Sequence, residues 1–190
     1  MYQYLLILFF PALLLCCQSG STTDNRLVQK VVVEATQDST PVFMEGFSFE
    51  KSDGTTFSFN EVKGKVLLLD FWATTCGPCI REHPKVEKIY EAINNPDFEL
   101  INISTDHKKE QWIAFLEKNK WKGTNIIINT FDSKDPLGNM VKKTIQNRNG
   151  ETMQMVSVPQ YFLIDKSLNV EKIEATDLKN LEDRVGKLTN

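Results

Sequence analysis

Two cysteines three residues apart, Cys76 and Cys79, stand just past an apolar run that holds one aspartate, in the stretch DFWATTCGPCIREHP from Asp70 to Pro84. Gly77-Pro78 between them marks the turn into a helix, because proline is favoured in a first helical turn and glycine is permissive just before it. Cys76 is therefore expected at a helix N-terminus. Unpaired backbone N–H groups and the helix dipole stabilise an anion there, which favours the thiolate near neutral pH. Cys79 lies on the same side of the first turn, within reach of a bond to Cys76. Val86, Ile89, Tyr90 and Ile93 follow at helical spacing, and Cys79 lies seven before Val86, so its side chain is expected to face the core. One exposed thiolate and one sheltered thiol suit thiol–disulfide exchange: Cys76 attacks a substrate disulfide and Cys79 resolves the mixed disulfide.

Two carboxylates frame the pair. In the run VLLLDFW, side chains of a strand alternate, so Val66, Leu68, Asp70 and Trp72 share one face and Asp70 has apolar neighbours on it. Such a carboxyl is expected to hold its proton more tightly than usual and to accept the proton of Cys79 in the second step. Glu82, three residues beyond Cys79, falls on the same helix flank as Val86 and is a second candidate for tuning this transfer. The competing readings are a tolerated strand aspartate and a solvent-facing helix glutamate.

The elements that must position these groups follow from periodicity. VLLLDFW is a continuous apolar strand, Pro78 to Ile93 a helix, FELINIST a strand and KEQWIAFLEKN a helix. TNIIIN is expected as a strand, DPLGNMVKKTI as a helix, QYFLID and NVEKIEA as a closing strand pair, and LKNLEDRVGKL as a terminal helix. Upstream, FSFEKSDGTTFSF carries two short alternating strands around Asp53-Gly54, a hairpin signal. Strand and helix alternate around buried strands. This predicts an α/β fold, a central mixed sheet with helices on both faces and an added N-terminal hairpin.

The chain has 190 residues, 41% of them hydrophobic, and a formal net charge of −3. That length fits one domain with a short appendage. The charge gives no electrostatic reason to expect a nucleic-acid partner. Residues 1–17, MYQYLLILFFPALLLCC, hold an apolar run from Tyr4 to Leu15, too short to span a bilayer and suited to an export signal rather than a buried N-terminal helix. Residues 18–41 form a tether and N-terminal extension, in which Leu27 to Thr36 is β-rich, and residues 42–190 the folded domain. With Cys16 and Cys17 in the signal, Cys76 and Cys79 are the only thiols of that domain. They close a loop too small to act as a structural staple, so a bridge between them is expected to be functional.

LLLC and LLCC at the end of the apolar run resemble a bacterial lipobox, whose cysteine carries a lipid; Cys17 is favoured over Cys16, because Cys16 is the smaller preceding residue. A plain secretory peptide is the alternative. DFWATTCGPC resembles the thioredoxin active-site segment, and Pro84 falls where thioredoxins place a proline in that helix. VPQYFLID resembles the later thioredoxin segment in which a cis-proline, here Pro159, faces the disulfide and the preceding backbone, here Val158, pairs with the substrate chain. The layout as a whole is similar to membrane-tethered thiol–disulfide oxidoreductases of the TlpA/ResA type, with Glu82 at the position of their acidic residue. The resemblance implies a substrate-facing surface built from Trp72, Thr75, Gly77, Pro78, Val158 and Pro159. Thr75 stands where most relatives have tryptophan and Gln160 where threonine is common, which bears on partner choice.

Together these features predict an exported, lipid-anchored thiol–disulfide oxidoreductase, and the resemblance implies that it reduces disulfides of other proteins, often in apocytochrome c maturation, on the periplasmic side of a bacterial membrane. No cofactor is expected beyond the Cys76–Cys79 disulfide itself, and the resemblance implies a membrane protein that supplies its electrons. No metal site is expected, since His83 and His107 share no ligand spacing with the cysteines. Two other classes compete. A peroxiredoxin-type peroxidase would need a Pro-x-x-x-Thr-x-x-Cys context that FWATTCGPC lacks, and a non-enzymatic binding lipoprotein would have no reason to keep both cysteines.

Overall fold

The computed structural model describes residues 44–146 and 148–189. The expected signal, its lipidation cysteines, the tether and the β-rich stretch Leu27 to Thr36 lie outside the described residues.

The sheet is built around β3 (Val66–Trp72), seven residues that are all buried. It pairs in parallel with β4 (Phe98–Ser104) on one side and antiparallel with β8 (Gln160–Ile164) on the other. Beyond β4 lie β5 (Thr124–Ile127), parallel to it, and the N-terminal hairpin of β1 (Phe49–Lys51) and β2 (Thr56–Phe57); beyond β8 lies β9 (Val170–Ile173). The seven-stranded order is β2-β1-β5-β4-β3-β8-β9, a mixed sheet as expected. Gly54 at φ +82° makes the tight turn of the hairpin.

Alternation along β3 splits the core. Leu67, Leu69 and Phe71 pack with Ile101, Ile103, Phe59 and the helix α3 (Pro136–Val141) on one face. Val66 and Leu68 pack on the other with Val86 of α1 (Gly77–Ile93) and with Leu181 and Val185 of α4 (Leu181–Thr189). Trp72 extends that second face to Trp112 and Leu116 of α2 (Lys109–Asn119). Burying each such side chain is worth about 1.5–3 kcal/mol. That collective gain holds β3 in the centre even though Asp70 goes in with it.

One element departs from expectation. The helical pattern in DPLGNMVKKTI ends at Val141, and Lys142–Gln146 instead forms β6, paired over five residues with β7 (Thr152–Val156) as a separate two-stranded sheet. The turn between them contains Asn149 and Gly150, the latter at φ +82°. Met153 and Met155 are strand residues of β7 with 52% and 45% of their surface exposed.

Candidate active site

The site grows from the end of β3. Past Trp72 the chain must leave the sheet and start α1 within four residues, and Asp106 holds that turn in place. Its carboxylate accepts the Thr74 backbone N–H at 2.9 Å, the Thr74 hydroxyl at 2.7 Å and the Ser104 hydroxyl at 2.7 Å. Cys76 then caps α1: its backbone is extended, and its Sγ lies 3.2 Å from the backbone N–H of Cys79, which donates to it. The sulfur therefore occupies the place where a helix start favours negative charge. Pro78 lies in the first turn, as expected.

Cys76 and Cys79 are joined in a disulfide. Cys76 is partly exposed, whereas Cys79 is only 2% exposed and packs with Trp72, Trp112 and Leu116. The outer and inner sulfurs are those expected from helical spacing.

Asp70 is 2% exposed, and burial pushes its carboxyl above the usual carboxylate range, opposed by the hydrogen bond and charge of His83. His83 Nδ1 lies 3.1 Å from Asp70 Oδ2. The ring is fully buried and stacks on Trp121 with centroids 3.4 Å apart, and Trp121 in turn packs on Trp72 and Phe115. Across the strand pair, Tyr161 of β8 stands opposite Asp70, and its phenol is pushed up by burial and by the charges of Asp70 and Glu82. Glu82 itself is turned to the helix flank, where it accepts a hydrogen bond from Lys85 Nζ at 2.7 Å. The direct partner of Asp70 is thus His83, which the sequence offered only as a zinc candidate. Its signal was its position four residues past Cys79, on the same buried stripe.

Around the disulfide, Thr75 and Pro78 are exposed and Gly77 is partly so. The Val158–Pro159 peptide bond is cis, and Val158 packs into the cluster that holds Trp72 and Cys79. Thr75 and Val158 line a groove of ≈ 340 Å³ together with Asp106, His107 and Gln111. Trp72 departs from the substrate-facing role expected for it: its accessibility is 0%, because the strand's alternation turns it into the aromatic cluster under α1 and α2. Gln160 is also buried, its side-chain amide donating to the Ser157 carbonyl, so it props the loop before Pro159.

The model of the Redoxin family matches residues 35–187, most of the chain and all of the site. The chain belongs to the Redoxin family. It is 23% identical over 172 residues to the thiol-disulfide oxidoreductase ResA of Oceanobacillus iheyensis, covering 89% of this chain and 77% of that one. It is 28% identical over 139 residues to the ResA of Bacillus thuringiensis subsp. konkukian, covering 72% and 71%. In structure it is similar to the thioredoxin domain of a thiol-disulfide oxidoreductase from Bacteroides vulgatus, with a TM-score of 0.58, 27% identity and coverage of 76% and 93%. The expected fold, thioredoxin-like, and the expected activity, thiol–disulfide exchange, both stand for this Redoxin chain. It is an oxidoreductase of the ResA type.

Proposed function

We propose that this oxidoreductase works outside the cytoplasm, lipid-anchored through Cys17 or Cys16 on the periplasmic side of a bacterial membrane, and that it reduces disulfides of protein substrates, apocytochrome c among them. It uses no cofactor beyond its own disulfide, and a membrane protein recharges the dithiol. The observation that carries the reading is the unequal burial of two bonded sulfurs at one helix start. Among the described residues no helix is long and apolar enough to cross a membrane; the anchor is read from the N-terminal sequence.

In the reducing direction the Cys76 thiolate attacks a substrate disulfide, forming a mixed disulfide and releasing one substrate thiolate. Asp70 takes the proton of Cys79. The resulting Cys79 thiolate attacks Cys76 Sγ, the bond from Cys76 to the substrate sulfur breaks, and the second substrate thiolate leaves. Two electrons have passed from the dithiol to the substrate. Val158 offers its backbone to the substrate chain beside Pro159, with Thr75, Gly77 and Pro78 forming the opposite rim. Glu82 adds negative charge to the flank of this site.

The test is a trap in the native host. With Cys79→Ala the mixed disulfide cannot resolve, so discrete adducts are expected on Cys76 in non-reducing gels, vanishing with reductant and in Cys76→Ala. Equal labelling in both variants would contradict the exchange reading. Replacing Cys16 and Cys17 together is expected to release the protein from the membrane fraction; retention would remove the lipid anchor from the account.

A further inference from the structure

We propose that His83 carries protons between the buried carboxyl of Asp70 and the surface, with Glu87 as the outlet. The proposal rests on the role given above to Asp70 as acceptor of the Cys79 proton. A carboxyl that is 2% exposed can take that proton only if something removes it afterwards.

The geometry supplies one route. Cys79, His83 and Glu87 stand four residues apart along α1, so they form a single stripe of the helix. The stripe runs outward: Cys79 is 2% exposed, His83 is sealed, and the Glu87 side chain is 23% exposed. His83 Nδ1 faces Asp70 Oδ2 at 3.1 Å, and Nε2 faces Glu87 Oε1 at 3.7 Å. The two ring nitrogens thus point at two carboxyls, one buried and one wet. Nε2 makes no hydrogen bond among the described residues. Trp121 stacks on the ring and closes its flat side. The backbone N–H of Lys122 donates to Glu87 Oε1 at 2.7 Å, which holds the outlet in place.

The other charged or titratable groups near this line offer no exit. Tyr161 faces Asp70 from β8, but burial holds its phenolic proton on. Glu82 is paired with Lys85 on the flank, and the Lys122 ammonium is paired with Glu91.

Written out, Asp70 takes the Cys79 proton, and rotation of the carboxyl presents it to Nδ1. The proton on Nε2 then leaves to Glu87 and on to water as Nδ1 gains one. No electrons move on this path. When the donor cleaves the Cys76–Cys79 bond, the Cys79 thiolate needs a proton, and the same line runs inward. That second passage restores the starting tautomer of His83. His83 is a positioning and proton-carrying residue, holding its ring nitrogen against the carboxyl of Asp70.

A chromogenic aromatic disulfide separates the steps, because reaction with the reduced protein releases one aryl thiol when Cys76 attacks and a second when Cys79 resolves. In His83→Gln and His83→Phe the first phase is expected to keep its rate, while the second slows about tenfold at neutral pH and its acid limb moves to higher pH. Asp70→Asn is expected to slow the second phase as well, and adding His83→Gln to it to slow it no further. Glu87→Gln, at the partly exposed end, is expected to slow it about threefold; this variant keeps the test open if the buried substitutions unfold. An unchanged second phase in folded His83 variants, multiplicative slowing in the double variant, or an unchanged rate in Glu87→Gln would overturn the proposal. If Asp70→Asn leaves the second phase untouched, the role of Asp70 falls, and this proposal with it.

Discussion

Thr74 and Asp106, on different strands' ends and thirty-two residues apart, are joined by three hydrogen bonds of 3.1 Å or less, one carboxylate gripping both the backbone N–H and the hydroxyl. Thr74 is two residues before Cys76, so this contact fixes where α1 can begin. Hydrogen bonds to a charged group are worth about 1.5–3 kcal/mol each, less when they share one donor. Asp106→Ala is therefore expected to lower stability by about 2–4 kcal/mol in urea unfolding and to slow attack by Cys76. Asp106→Asn, which keeps one acceptor oxygen, should fall between. Wild-type stability in Asp106→Ala would show that the turn is held by packing alone.

Asp70 makes a pH prediction with a defined sign. Burial raises its carboxyl above the ordinary value of 3.8, so in the window between that value and the raised one the folded state holds more protons than the unfolded state. Stability contributed at this site therefore falls as pH climbs through the window. Asp70→Asn removes the ionisation but keeps the shape. Its stability relative to wild type is expected to be higher at pH 8 than at pH 4 in paired urea melts. Parallel curves at both pH values would show that the carboxyl carries no burial penalty.

Gly123 sits where the chain turns from Trp121 and Lys122 into β5, at φ +81°. A Cβ there would lie 2.6 Å from the Leu100 carbonyl oxygen. Both the left-handed backbone and the contact oppose substitution, so Gly123→Ala is expected to cost about 2–4 kcal/mol. Because Trp121 covers His83, the same variant should change tryptophan fluorescence. A stable variant with an unchanged spectrum would contradict this.

How much of this could be seen in the residues alone depended on locality. The disulfide geometry was legible because Gly77-Pro78 and the apolar positions from Val86 onward set both the helix start and its buried face. Asp70 was legible from strand alternation. The partners of Asp70 and Thr74 were not, since His83 meets Asp70 only when α1 lies back on β3, and Asp106 meets Thr74 only when β4 pairs with β3. Lys142–Gln146 became a strand because its partner β7 offered five backbone pairs, an effect that helical spacing within DPLGNMVKKTI cannot register. Asn149-Gly150 was a local hairpin signal that could have exposed it. Trp72 faces inward because it shares strand parity with Asp70, and that parity overrides the surface role that the motif resemblance implies.

The central claim is that Cys76, at the tip of α1, is the ionised and attacking sulfur while Cys79 waits beneath it. The most direct measurement is the alkylation rate of each cysteine in the reduced protein as a function of pH, resolved by mass spectrometry. Cys76 is expected to react at least about tenfold faster than Cys79 at neutral pH, with its titration midpoint below that of an ordinary thiol. Equal rates, with Cys76 titrating like a free cysteine and no bridge re-forming in mild oxidant, would contradict the account.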